Sequence, residues 1–185
     1  LNMKVAAHAL SYDAISKSVS AGIDTIEDGA EMTEDIVLQM KENGQCWVPT
    51  VAVYKSLTES RGIIDDVIVN KAEIVTEKQK KSFKQAMEIG TKIILGSDAG
   101  SANFGPHPAA FQEMFVMEEY GMPAAAVIRS ATIDSARELG IGDSRGSLEA
   151  GKMADIVVLD ADPLADLHAF TDHLVQVYKE GSAVL

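Results

Sequence analysis

The sequence predicts an α/β fold, with a parallel sheet wound with helices and then a smaller β layer. Three observations carry the prediction. Short apolar runs stop in turn at His8, Asp28, Pro49-Thr50 and Asp98; helical segments closed by glycine lie between them; and after Gly140 the chain changes to short strands joined by turns. Strands alternating with helices at short spacing imply βαβ units with right-handed crossovers. Near-continuous hydrophobics imply strands buried on both faces, with the working end at the carboxyl rim.

In chain order, residues 3–7 form the first strand, ending at His8, and residues 11–21 are helical until Gly22 stops them. Residues 23–27 form the second strand, ending at Asp28-Gly29. A helix over 33–42 follows, with Thr33 as candidate N-cap, acidic residues in its first turn and Asn43-Gly44 as its stop. Residues 45–48 form the third strand and 92–95 the fourth. Between these two, residues 76–90 read as a helix offering Phe83, Ala86, Met87 and Ile89 for one face, and residues 54–70 as an insertion above the rim, either lid or packed excursion. Helices are expected over 109–120, 123–131 and 134–139, the second opened by Pro123. The β layer is expected at 146–148, 155–159, 175–179 and 183–185. A boundary near Leu139 therefore divides the chain into 1–139 and 140–185.

The composition is that of a globular domain, with 46% hydrophobic and 24% charged residues. No stretch approaches the roughly 20 apolar residues that span a bilayer, and the first residues lack signal-peptide character, so a cytoplasmic protein is expected. The single cysteine, Cys46, excludes an intrachain disulfide and sits in a strand pattern as an inert core thiol. A net charge of -12 argues against nucleic acid and anionic membrane surfaces as partners. Much of that charge lies between Asp24 and Asp35 and reads as a solvated face, Asp28 being the candidate exception.

His8 and Asp28 stand one βα period apart and should share the rim with Asp98. A histidine and two carboxylates at neighbouring strand ends are the residue types that bind Zn or a similar divalent cation with a position left for water. Each alone has an ordinary reading: Asp98 before Ala99-Gly100 is also a turn residue, and a lone histidine after a strand is also structural. No P-loop, G-x-G-x-x-G or G-x-S-x-G motif is present, which leaves phosphate-cradling and serine-hydrolase chemistry without support.

Val5-Ala6-Ala7-His8-Ala9, Thr25-Ile26-Glu27-Asp28-Gly29, Val48-Pro49-Thr50, Leu95-Gly96-Ser97-Asp98-Ala99-Gly100 and above all the run from Gly146-Ser147-Leu148-Glu149-Ala150-Gly151-Lys152 to Asp160 resemble the amidohydrolase superfamily. The nearest resemblance is to its imidazolonepropionase-like branch, which includes Xaa-Pro dipeptidase. It covers nearly the whole chain but only part of the family's protein. It implies the C-terminal half of a (β/α)8 TIM-like barrel, strands five to eight, followed by part of a small β-sandwich. It also implies a metal-dependent hydrolase of amide, peptide or cyclic-amide bonds, using Zn or Mn, one or two ions. By resemblance His8 is a metal ligand, and Asp98 touches the metal and serves as general base. Asp28 stands where the family has histidine, and Leu10 where many relatives carry a second histidine. His107 is a candidate substrate contact.

The family's first-strand His-x-His pair and bridging carboxylated lysine have no counterpart in these residues. An open half-barrel exposes strand edges, so the chain is expected to be a portion of a larger protein, or to fold with a partner chain or as a homo-oligomer. The expected substrate is a small molecule or short peptide. The alternative is a degenerate, non-catalytic binding or assembly module, which Asp28 and the missing ligands favour.

Overall fold

The strand ends read from the sequence lie side by side in one sheet. The computed structural model describes residues 3–100 and 104–185, without the side chains of His107 and Pro108. Strands β1 (Ala6–Ala9), β2 (Thr25–Asp28), β3 (Cys46–Val48) and β4 (Lys92–Ile93) form a four-stranded parallel sheet in sequence order. The register pairs His8 with Glu27, Glu27 with Val48 and Trp47 with Ile93. His8 therefore lies within β1, one residue before its end, where the sequence had placed it just after the strand.

Helix α1 (Tyr12–Ser20) follows β1 and is capped by the Ser11 hydroxyl, which accepts the Ala14 N–H at 3.4 Å. After β2 comes α2 (Glu34–Asn43), whose Glu34 and Asp35 complement the positive helix start and whose end is Gly44 in the left-handed region. Residues 54–70, expected as an insertion, are largely helical. Helix α3 (Val51–Thr58) leads to α4 (Asp66–Ile89), which begins well before the expected Thr76. Asp65 explains the earlier start, since its carboxylate accepts the Val67 N–H at 2.7 Å. Val69 and Ala72 extend the buried stripe that continues through Phe83 and Ala86. A 3₁₀ turn over His107–Ala110 opens into α5 (Phe111–Glu119).

The chain forms two compact units, Leu1–Gly121 and Met122–Leu185, so the composition shift at residue 139 falls inside the second. The core of the first is built around Trp47, Phe83 and Tyr120, with ring centroids 6.0 Å and 5.8 Å apart along that series. Ile26, Met40, Met117 and Cys46 are buried with them. The second unit contains α6 (Ala124–Ala131), α7 (Ile133–Glu138), β5 (Ile156–Leu159), α8 (Ala169–Asp172), β6 (Leu174–Lys179) and β7 (Ser182–Ala183). Its strands form an antiparallel sheet in the order β5-β6-β7. Residues 146–148, expected as a strand, are irregular: Gly146 holds φ 88, and a Cβ there would lie 2.7 Å from the Ala136 methyl. That close approach sets the segment against the start of α7 instead of in a ladder. Among the described residues no helix is long and apolar enough to cross a membrane.

Candidate active site

At the carboxyl rim of the parallel sheet lies a cavity of about 390 Å³. β1 contributes His8, β2 contributes Glu27 and Asp28, and Val48 and Thr50 come from the end of β3. Gly96, Ser97 and Asp98 line it beyond β4, and Tyr54 reaches it from α3. The residues His8, Asp28 and Asp98 expected from the sequence thus face one space.

Three of these residues hold positive φ without being glycine: Asp28 at 68°, Thr50 at 46° and Asp98 at 52°. A side chain in that region is uncommon and costs of order 1–3 kcal/mol. Asp28 ends β2, Thr50 lies two residues past β3 and Asp98 five residues past β4, and at Asp28 the conformation has a geometric effect. Successive strand residues point to opposite faces, yet Glu27 and Asp28 line the same cavity because the backbone turns at Asp28.

The turn at Asp28 is held from below. Its carbonyl accepts Trp47 Nε1–H at 3.0 Å and Gln79 Nε2–H at 3.2 Å, and Gln79 also donates to the Pro49 carbonyl at 2.8 Å. Gly29 makes room for this arrangement: at φ 59 it already needs a left-handed residue, and a Cβ would fall 2.6 Å from Trp47 Nε1. Gly96 plays the same part beside Val48, whose side chain occupies the place of a Cβ.

The Asp28 side chain is buried and doubly engaged. Oδ1 accepts the Thr50 hydroxyl at 2.6 Å, and Oδ2 meets Nδ1 of the exposed His8 ring in a short hydrogen-bond contact. A carboxylate only accepts, so Nδ1 is the protonated nitrogen of His8 in this contact. In the neutral ring that leaves the Nε2 lone pair available to a ligand. Asp98 is exposed at the mouth.

Three further groups are tuned by burial. The Tyr54 phenol is pushed up to about 12 by burial and by the carboxylates of Asp28 and Asp98, so its O–H persists as a donor beside them. Burial also raises Glu27, against the lowering effect of its hydrogen bond from the Thr25 hydroxyl at 2.6 Å. Behind the cavity wall Glu113, wholly buried, accepts the backbone N–H groups of Val51 and Ala52. Burial drives its carboxyl up to about 8, although those two hydrogen bonds pull the other way.

An imidazole and two carboxylates around one open space are donors of the kind that take Zn or Mn. Among the described residues, however, no three His, Cys, Asp or Glu side chains converge closely enough to hold a metal ion. The donor set fits a divalent cation in kind.

Comparison with known proteins decides the family. The model described as the amidohydrolase family matches residues 1–184. The chain belongs to the amidohydrolase family. Within it, ochratoxinase of Aspergillus niger is 26% identical over 185 residues, covering 97% of this chain and 38% of the relative. A crystal structure of a Xaa-Pro dipeptidase with bound methionine in the active site is 33% identical, with a TM-score of 0.88 over 98% of this chain and 44% of that one. A prolidase complexed with N-methylphosphonate-L-proline is 30% identical, with a TM-score of 0.86 over 99% of this chain and 45% of that one. The chain spans less than half the length of these relatives. Its α/β fold resembles the corresponding part of amidohydrolase barrels.

The sequence singled out His8, Asp28 and Asp98 but gave no role to Glu27, Thr50, Tyr54 or Glu113. Thr50 was visible only as the stop of a strand. Glu113 lay within an expected helix, and its partners come from a distant stretch that hydrophobic periodicity does not report. His107 begins the 3₁₀ turn, and its side chain lies outside the described residues.

Proposed function

We propose that this amidohydrolase-family chain supplies the carboxyl-terminal share of a metal-dependent hydrolase acting on amide, peptide or cyclic-amide bonds. The observation that carries the reading is the single cavity shared by His8, Asp28 and Asp98 at the ends of parallel strands, where barrel enzymes place their chemistry. In this reading the parallel sheet is strands five to eight of the barrel, the antiparallel sheet belongs to a small β-sandwich, and the domains divide near Leu139. The remaining ligands come from residues outside this chain, on the missing half of the barrel or a partner chain.

His8, Asp28 and Asp98 would hold the ion, one or two of Zn or Mn. The bound cation would supply Lewis acidity toward the scissile carbonyl and toward water. Asp98, exposed at the mouth, accepts the proton of the attacking water at a carboxylate oxygen and returns it to the leaving nitrogen. Tyr54 keeps its proton and offers an O–H donor to a carbonyl oxygen that gains charge. Asp28 holds the His8 ring by Nδ1, and Thr50 holds Asp28. His107 is proposed to contact substrate. The substrate class is a short peptide or small amide, a reading supported by the Xaa-Pro dipeptidase, prolidase and ochratoxinase among the relatives.

The experiment is hydrolysis by the complete gene product of a panel of Xaa-Pro dipeptides and N-acyl amino acids, before and after chelation. Turnover that is lost on chelation and restored by Zn or Mn supports the reading. A second reading, a non-catalytic binding or assembly module, is favoured by one observation: both oxygens of Asp28 are already engaged by protein groups. A metal-free complete product that hydrolyses nothing on the panel supports the module instead.

A further inference from the structure

Helix α3 starts without a cap of its own. Thr50 precedes it, a residue type whose hydroxyl ordinarily accepts an N–H of the first turn from an extended backbone. Here Thr50 sits at φ 46 and ψ 44 and makes no side-chain cap. Its hydroxyl donates to Asp28 Oδ1 instead.

The first N–H groups of α3 are taken by a residue from α5. Glu113 Oε1 accepts Val51 N–H at 3.0 Å, and Oε2 accepts Ala52 N–H at 2.8 Å. Both oxygens are spent on this task, and the residue is 0% exposed. Withdrawing a carboxyl from water is unfavourable even with hydrogen bonds. One amide of the first turn, that of Ala52 or Val53, could be served at lower cost by the Thr50 hydroxyl in an extended conformation, but Thr50 would then lose Asp28. The expensive arrangement leaves the threonine hydroxyl free to point into the cavity.

We propose that Glu113 is a surrogate cap for α3 that releases the Thr50 hydroxyl to hold Asp28, making Glu113 a positioning residue for the Asp28–His8 pair. The link runs from Glu113 through the Val51 and Ala52 amides to the left-handed turn at Thr50, then from its hydroxyl to Asp28 and from Asp28 to His8. Glu113 touches neither substrate nor the reacting atoms. Its importance to turnover rests on the hydrolase reading above; the exchange of caps does not.

The test uses the complete gene product with Glu113→Ala, the isosteric Glu113→Gln, Thr50→Val, and each Glu113 variant combined with Thr50→Val. The first readout is the backbone of Thr50, from crystal structures or from its Cα and Cβ chemical shifts. Without Glu113, Thr50 is expected to leave the left-handed region for the extended one, and its hydroxyl to cap α3 at more than about 3.5 Å from Asp28, beyond hydrogen-bonding reach. If Glu113→Ala does not fold, Glu113→Gln, with one acceptor for two amides, is expected to shift Thr50 in the same direction. The second readout is kcat, expected to fall roughly tenfold or more with KM little changed, within the range for groups that orient ligands. Adding Thr50→Val is expected to cost less than about twofold further, because the two residues act through one contact. Thr50 staying on Asp28 with positive φ in the folded variants, or losses that multiply in the double variants, would overturn the proposal. Should the wild type hydrolyse nothing on the panel, the hydrolase reading fails, while the conformation of Thr50 still decides this one.

Discussion

The Thr50 hydroxyl donates to Oδ1 of Asp28 at 2.6 Å, and both residues hold positive φ at the ends of adjacent parallel strands. Two strained backbone positions are thus tied together by one hydrogen bond, which fixes the carboxylate that in turn holds His8. Thr50→Val keeps the shape and removes the donor. It should lower the metal affinity of the complete gene product by about 10- to 100-fold, the range for residues that orient a ligand. Competition with a chromophoric chelator measures this, and an unchanged affinity contradicts it.

Asp98 lines the same cavity and stands exposed there, as a group that exchanges protons with water must. Asp98→Asn should reduce kcat by on the order of 10²–10⁴, the range for loss of a general base. Far-UV circular dichroism and the melting temperature should stay close to wild type. Turnover at the wild-type rate rules out the assigned role.

Glu113 makes stability depend on pH. Its folded value, about 8, lies above its ordinary 4.5, because burial and the charge of Asp28 outweigh the two backbone N–H donors; Tyr120 also feels its charge. Below about pH 4.5 both folded and unfolded chains carry the proton and there is no penalty. Between 4.5 and 8 the unfolded chain releases it while the folded chain retains it, so stability falls as pH rises, by a few kcal/mol in total. Above about pH 8 the loss is constant. Glu113→Gln cannot titrate, so the difference in unfolding free energy between wild type and variant should change across pH 5 to 8 in urea titrations. Parallel curves contradict the assignment.

Gly29 sits between Asp28 and the indole that holds it. Gly29→Ala combines a positive φ with a Cβ 2.6 Å from Trp47 Nε1, and should destabilise by about 1–3 kcal/mol or more. Gly22→Ala is the control, with φ 76 and nothing within 4 Å of its Cβ, and should show the backbone cost alone. Trp47 is the only tryptophan, so its fluorescence reports both unfolding and the local disturbance. Equal losses in the two variants refute the steric part.

The sheet was legible because each strand is a short apolar run ended by a polar residue, although only β3 is buried throughout and β1 is largely exposed, and its helices because serine, threonine and glycine mark their ends. Helix α4 was under-read: its first turns carry charged and exposed residues, and the stripe of Val69 and Ala72 is too sparse to stand out before Asp65 is seen as a cap. Residues 146–148 look like a strand in sequence, and only the contact of Gly146 with Ala136 shows why they are not. In the site, His8, Asp28 and Asp98 announced themselves as metal-ligand types at strand ends. Thr50, Tyr54 and Glu113 did not, because their roles arise from backbone conformation and from contacts between segments distant in sequence.

In the proposed function His8, Asp28 and Asp98 form part of a divalent metal site. Metal analysis of the purified complete gene product, repeated for His8→Ala and Asp98→Asn, tests it most directly. About one or two equivalents of Zn or Mn per chain in the wild type, falling in both variants, is the predicted result. No bound metal in the wild type, or an equal content in all three proteins, contradicts it.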